Sequence, residues 1–184
     1  AIARPAAPIP QQPLAQANRS LAEGAEILDI GGESTRPGIS PINIDEEIKR
    51  VVPVVEYLAL RVSVPISVDT YKYEVARQAL NAGASVINDQ WGLKREPRLA
   101  ELAAERGVPI ILMSNQREKG GYDATHQSDT GSYQDIMSEV ILSLKESIDI
   151  AVKAGVPIEN TIIDPGIGFG KKWQQNFEVI NRLE

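Results

Sequence analysis

Cysteine, histidine and long apolar runs are scarce or missing in this chain, and each absence excludes a class of protein. With no cysteine in 184 residues, a disulfide scaffold and a thiolate metal site are excluded. No apolar stretch approaches the roughly 20 residues of a membrane span, so no membrane partner is expected. The formal net charge of −6 disfavours nucleic acid as a partner.

The composition, 42% hydrophobic and 24% charged, is typical of a soluble globular protein. The first residues are rich in Ala, Pro and Gln, and they predict a flexible N-terminal segment over residues 1–13. One domain is predicted over residues 14–184. We expect a cytoplasmic protein, although the N-terminal composition is also compatible with an organelle.

Strand-like and helix-like patterns alternate along the chain. The strand-like runs are short, β-branched and continuously apolar, as in strands buried on both faces; they lie in 22–32, 64–70, 81–90, 105–115 and 153–166. The helical patterns cover 14–23, 48–58, 71–81, 97–106 and 133–152, the second with Asn43 as its N-cap. This alternation predicts a parallel sheet, either open and doubly wound or closed as a (β/α) barrel. No GxGxxG or GxxxxGK[ST] motif follows a strand, which favours the barrel.

A polar side chain stands near the end of each predicted strand. In a barrel these ends share one rim, where active sites lie; the residues are Asp29, Asp69, Asn88, Asp89, Ser114, Asn115 and Asp164. We expect a ring of hydrogen-bond acceptors. Its complement is a flat heterocycle with adjacent N–H and NH₂ donors, as in guanine or a pterin. Spacing does not choose between these two.

Two glycine-rich segments follow the first and last of these strands. Gly31–Gly38, GGESTRPG, combines flexible backbone with Ser34, Thr35 and Arg36, which suit a phosphate or carboxylate. Asp164–Lys171, DPGIGFGK, places Phe169 among glycines, where its ring could cover a flat ligand. Trp91, just after the third strand, is as compatible with packing at the rim as with ligand stacking.

Four segments together resemble the dihydropteroate synthase family. They are ILDIGGESTRPG (27–38), PISVDTYKYEVARQAL (65–80), VINDQWGL (86–93) and IIDPGIGFGK (162–171). The resemblance implies an α/β fold of the (β/α)8 TIM-barrel type, of which about strands 2 to 6 are present. It also implies a transferase of folate biosynthesis that joins 6-hydroxymethyl-7,8-dihydropterin pyrophosphate to 4-aminobenzoate and releases pyrophosphate.

The resemblance assigns roles to individual residues of this chain. Asp69 and Arg36 match catalytic positions. The positions matching substrate-binding residues are Thr35, Arg36, Asp69, Asn88, Met113, Asp164 and Phe169. Of these, Asp164 and Asn88 correspond to the residues that bind the amino-pyrimidine edge of the pterin. For Met113, filling of the core is an equally good explanation.

The chain also departs from the family pattern. The first-strand asparagine that helps the family bind Mg²⁺ has no counterpart, and neither have the last two strands with their basic residues. Ser114 stands where the family usually has histidine. We therefore expect an incomplete barrel, with Mg²⁺ as a family expectation that lacks its usual ligand, and homodimers as the family's common assembly. Two alternatives stay open: a pterin-dependent methyltransferase of the same barrel family, or an inactive truncated pterin-binding fragment.

Overall fold

Each of the five predicted apolar runs forms a four-residue strand in the computed structural model, which describes residues 11–34, 40–117 and 135–183. The strands are β1 (Leu28–Gly31), β2 (Ile66–Asp69), β3 (Val86–Asp89), β4 (Ile110–Met113) and β5 (Thr161–Asp164). The helices are α1 (Gln11–Ala22), α2 (Ile44–Ala59), α3 (Tyr73–Ala82), α4 (Arg98–Arg106), α5 (Ile136–Lys153) and α6 (Trp173–Asn181). A 3-10 turn, Ile158–Asn160, leads into β5.

All five strands are parallel, and each pairs with the strand that follows it in the sequence, in the order β1-β2-β3-β4-β5. A doubly wound sheet would reverse its strand order at a switch point. Consecutive order with right-handed crossovers instead places every connecting helix on the same face, as in a (β/α) barrel. The structure therefore decides between the two predicted architectures in favour of the barrel arc.

The helix-facing side of the sheet forms the main core. Side chains alternate along a strand, and those turned toward the helices are buried; they include Leu28, Ile66, Val68, Ile87, Ile110 and Leu112. They pack in one cluster with the apolar stripe of α2, for example Val51, Val55 and Leu58. A second cluster joins α5 to α6 through Ile136, Val140, Leu144 and Val179.

The helix ends largely agree with the sequence. Asn43 caps α2, because its side chain accepts the Glu46 backbone N–H at 2.8 Å. Gly83 and Gly107 end α3 and α4 in the left-handed conformation that the Gly steps predict. The prediction for α3 was wrong at its start: the helix begins at Tyr73, since Thr70 Oγ1 accepts the Lys72 N–H in the preceding turn. None of the helices in the described ranges is long and apolar enough to cross a membrane.

The other face of the sheet carries the polar strand residues. Strand register places Gly31 beside Asp69, Asp69 beside Asn88, and Asn88 beside Ile111. One step further along, Met113 pairs with Asp164. In a barrel this face is the interior, and its C-terminal end is the rim where ligands bind.

Candidate active site

Asp29 lies on the polar face of the sheet, two residues before the end of β1. The Asp29 carboxylate on β1 accepts a short hydrogen bond from Ser67 Oγ on β2 and one of 3.1 Å from Asn88 Nδ2 on β3. These three strands are thus linked by side chains as well as by their backbone ladders. The amide of Asn88 is held by Asp29 on one side, which fixes its orientation.

Asp69 ends β2 and lines a small pocket. The other residues around this pocket are Glu33, Glu47, Thr70, Tyr71 and Gln90. Gln90 Nε2 donates to Asp69 Oδ2 at 2.6 Å. Burial raises the pKa of Asp69 to about 7, the carboxylates of Asp29, Glu47 and Asp89 add to the rise, and the Gln90 hydrogen bond opposes it. Strongly shifted pKa values that arise from burial and like charges are common at functional sites.

A buried ion network lies against this pocket. Lys72 Nζ donates to Glu33 Oε2 at 2.6 Å, to Glu47 Oε2 at 2.6 Å and to the Ile42 carbonyl at 2.7 Å. The other carboxylate oxygen of Glu47 accepts a hydrogen bond from Thr70 Oγ1 at 2.7 Å. The Glu47 side chain is only 1% exposed. Glu33 Oε2 also accepts the Ile42 N–H at 2.9 Å. The network therefore joins the end of β1, the approach to α2 and the end of β2.

The opposite end of the polar face is built around Asp164 and a glycine turn. Asp164 Oδ1 accepts the Gly166 N–H at 2.7 Å. Gly166 has φ +69°, and a Cβ there would overlap the Ser114 carbonyl oxygen, so only glycine allows the loops after β4 and β5 to touch. Lys171 Nζ donates to the Ser114 carbonyl at 3.0 Å and to the Gly166 carbonyl at 2.8 Å, which fastens the two loops together.

Apolar and aromatic groups stand beside Asp164. Met113 pairs with Asp164 in register and is 2% exposed. Phe169 is half-buried in the glycine turn, and the Arg117 guanidinium lies 4.6 Å from its ring centroid. Burial lowers the pKa of Lys171 to about 8; Asp164 opposes this and Arg117 adds to it.

Three residues of the predicted acceptor ring are used elsewhere. Asp89 alternates with Asn88 and so faces the helices, where its carboxylate accepts the N–H groups of Trp91 and Leu93. Ser114 is fully buried and its Oγ accepts Gln116 Nε2. Asn115 is buried as well, with both ends of its amide engaged. These residues shape turns, whereas Asp29, Asp69, Asn88 and Asp164 lie on the polar face.

Trp91 packs at the rim. Its ring is edge-on to Tyr71 at 6.4 Å, and the Arg95 guanidinium lies 3.3 Å from its centroid. Thr35 and Arg36, predicted to contact the substrates, lie outside the described residues. Sequence reasoning did not find Gln90, the Lys72 network or the Lys171 contacts. For Gln90 a signal existed, because it stands two positions after Asn88 and so continues the same face.

The described residues do not fit a protein-held metal. Within residues 11–34, 40–117 and 135–183 no group of three or more His, Cys, Asp or Glu side chains is placed to hold a metal ion. Glu33 and Glu47 are already paired with Lys72.

Comparison with known proteins gives the family. A model described as pterin binding enzyme matches residues 9–184. The chain belongs to this family. It is 48% identical over 171 residues to the dihydropteroate synthase of Bacillus subtilis, covering 93% of this chain and 56% of that protein. It is 47% identical over 164 residues to the dihydropteroate synthase of Clostridium beijerinckii, covering 89% of this chain and 56% of that one.

Solved structures agree in fold. The dihydropteroate synthase of Xanthomonas albilineans with 4-aminobenzoic acid superposes with a TM-score of 0.81 at 40% identity, over 92% of this chain and 58% of that one. The Yersinia pestis dihydropteroate synthase in complex with a sulfonamide drug superposes with a TM-score of 0.83 at 41% identity, over 92% of this chain and 60% of that one. The resemblance inferred from the four motifs is confirmed. The chain spans a little more than half the length of these four relatives.

Proposed function

We propose that this chain supplies the pterin-binding part of a dihydropteroate synthase, which joins 6-hydroxymethyl-7,8-dihydropterin pyrophosphate to 4-aminobenzoate. The observation that carries the proposal is the row of oriented acceptors on the polar face, from Asp69 and Asn88 to Asp164. A flat ring with adjacent N–H and NH₂ groups needs such acceptors in one plane. Phe169 supplies apolar surface beside them, and Met113, only 2% exposed, packs behind Asp164 as its register partner.

The reaction breaks a carbon–oxygen bond and forms a carbon–nitrogen bond. The methylene carbon of the pterin loses pyrophosphate with the bonding electrons, and the amine nitrogen of 4-aminobenzoate donates its lone pair to that carbon and then releases a proton. Positive charge develops on the pterin as pyrophosphate leaves. A fixed carboxylate lowers the barrier to such a step, and we assign this role to Asp69.

The other residues hold the ring in place. Asp164 keeps Oδ1 on the Gly166 N–H, which orients its carboxylate toward the polar face for the amino-pyrimidine edge. Asn88 is oriented by Asp29 and serves the neighbouring donor and acceptor groups of the ring. Thr35 and Arg36 would bind the anionic groups, and the 4-aminobenzoic acid bound by the X. albilineans enzyme is the second substrate we propose.

Calorimetry with 6-hydroxymethylpterin tests the binding half of the proposal. Asp164→Asn replaces an acceptor by an NH₂ donor against the ligand, so affinity should fall roughly 10- to 100-fold. Asp149→Asn, on the exposed side of α5, is the matched control and should bind as the parent does. Equal affinity of the Asp164→Asn variant and the parent would contradict the assigned role.

Turnover tests the reaction itself. In the protein as its gene encodes it, pyrophosphate release should require 4-aminobenzoate. Arg36→Ala should weaken the use of 4-aminobenzoate in a synthase and change little in a pterin-dependent methyltransferase. Absence of release from a folded full-length protein that binds the pterin would leave the chain as a binding fragment and refute the synthase proposal.

A further inference from the structure

Gln90 contacts the carboxylate to which the chemistry has been assigned. Its Nε2 donates to Asp69 Oδ2 at 2.6 Å, a short distance for an amide donor. The contact is side chain to side chain and joins the rim after β3 to the end of β2. Gln90 is partly exposed, so the bond forms at the edge of the pocket rather than in the core.

The backbone of Gln90 is itself held by the next strand's loop. Asn115 Nδ2 donates to the Gln90 carbonyl at 3.1 Å, and Asn115 Oδ1 accepts the Arg117 N–H at 3.1 Å. Asn115 is only 6% exposed, so this support is shielded from water. A chain of amides therefore runs from the loop after β4, through the rim of β3, to Asp69.

Asp69 needs such a donor because its surroundings are acidic. Carboxylates approach it from three elements: Asp29 on β1, Glu47 on α2 and Asp89 on β3. Glu33 and Tyr71 also line its pocket. The nearby cation, Lys72, is committed to Glu33 and Glu47. The hydrogen bond from the Gln90 amide thus favours the ionised form of Asp69, which both burial and the neighbouring carboxylates disfavour.

We propose that Gln90 is a positioning residue, which fixes the orientation of the Asp69 carboxylate and stabilises its negative charge. For its effect on catalysis this inference rests on the proposed function of Asp69, whereas the contact itself can be tested without any substrate. A glutamine used only to fill space at the rim would be replaceable by any side chain of similar volume. A glutamine that acts through its N–H group would not.

The decisive measurement is the NMR titration of the Asp69 carboxyl group in the free protein. Gln90→Met keeps the volume and removes the donor, and Gln90→Glu puts a carboxylate in its place. The pKa of Asp69 should rise from the parent to the Met variant and rise further in the Glu variant. The matched control is Gln78→Met, because Gln78 makes the same kind of contact, Nε2 to Glu74 Oε1 at 2.8 Å, away from the pocket. It should leave the Asp69 titration unchanged.

Pterin binding as a function of pH gives the second readout. In the Gln90→Met variant the affinity for 6-hydroxymethylpterin should be several-fold lower near neutral pH and should return toward the parent value as the pH is raised and Asp69 ionises again. Gln90→Asn carries an amide that is one methylene shorter, so it should lose the contact with Asp69 and behave like the Met variant.

The two proposals can fail separately. If the parent binds no pterin at any pH, the proposed function fails, while the Asp69 titration still tests the Gln90 contact. If the Met variant is folded and its Asp69 titrates as in the parent, the positioning role of Gln90 is wrong, whatever the chain binds. Thermal unfolding of each variant identifies any that lose the fold.

Discussion

Lys72 and Lys171 both lie beside the polar face, Lys171 buried and the Lys72 side chain 11% exposed, but their surroundings differ in charge. Lys72 meets two carboxylates and one carbonyl, and Lys171 meets backbone carbonyls. Burial alone would lower the pKa of Lys72, yet the hydrogen bonds that its ammonium donates to Glu33 and Glu47 outweigh burial, and the pKa is raised. For Lys171 burial prevails and the pKa falls to about 8. Neutral acceptors hold an ammonium in place without compensating its loss of water.

The difference separates two ways of joining loops. At the β1–β2 end of the sheet an ion network fixes the loops and is neutralised from within. At the β4–β5 end close glycine packing brings the loops together, and the lysine bridges their carbonyls. The first depends on charge balance and the second on shape, so the two ends should respond differently to mutation and pH.

The largest effect is expected from Lys72→Met. The substitution leaves Glu33 and Glu47 buried without their cation, which should lower the free energy of unfolding by about 3–5 kcal/mol. Urea denaturation measures the loss. Adding Glu47→Gln to Lys72→Met should recover part of it, because the second change removes the unpaired charge. A loss below about 1 kcal/mol would mean that the network is not charge-dependent.

Lys171→Met should have a smaller effect. Lys171 donates its hydrogen bonds to carbonyl groups, so no hydrogen-bonded carboxylate loses its cation, but the carbonyl oxygens of Ser114 and Gly166 lose a donor in a buried place. The expected loss is about 1–3 kcal/mol near pH 7, again by urea denaturation. A loss as large as that of Lys72→Met would erase the proposed contrast between the two ends.

The stability difference between the parent and Lys171→Met should itself depend on pH, which sharpens the contrast between the two ends of the sheet. Between about pH 8 and pH 10.5 the unfolded chain binds a proton at Lys171 that the folded chain has released. The parent should therefore gain stability relative to Lys171→Met as the pH rises from 8 to 9.5, by on the order of 1 kcal/mol. For Lys72 the pKa is raised, so its contribution is fully present below its ordinary pKa of 10.5 and is lost only above that range. A flat difference for Lys171 would contradict the lowered pKa.

Arg50→Ala should have the smallest effect and provides a surface reference. Arg50 pairs with Glu46 at 2.8 Å on the same helix as Glu47, but the two side chains are 51% and 43% exposed. Exposed pairs of this spacing contribute about 0.3–0.5 kcal/mol and weaken with salt. Urea denaturation should be measured at low and at high salt. The loss in free energy of unfolding should shrink with salt for Arg50→Ala and persist for Lys72→Met.

Strand positions and the main acceptors were predictable because they depend on local pattern. Five apolar runs gave five strands, and Asp69, Asn88 and Asp164 lie on the face expected of a ligand site. Asp89 was placed wrongly in the ring, although alternation with Asn88 already implies that only one of them faces inward. The roles of Asp69, Asn88 and Asp164 toward substrate stay predictions.

The contacts that sequence reasoning missed are made between distant segments. Lys72 reaches Glu33, 39 positions away, and Lys171 reaches Ser114, 57 positions away. Nothing in the local pattern of a lysine tells whether a carboxylate or a carbonyl will meet it. That depends on how the loops approach one another, which the strand register and glycines such as Gly166 determine.

The consecutive strand order also shapes how the chain can fold. Each strand pairs with its immediate successor, so β1, α2 and β2 form one compact unit within residues 28–69. Pairing each strand with its successor keeps the loops that must close shorter than a non-consecutive strand order would, which limits the entropic cost of loop closure. Such a unit can form while the rest of the chain is still being synthesised, and each later strand then adds to an edge that already exists.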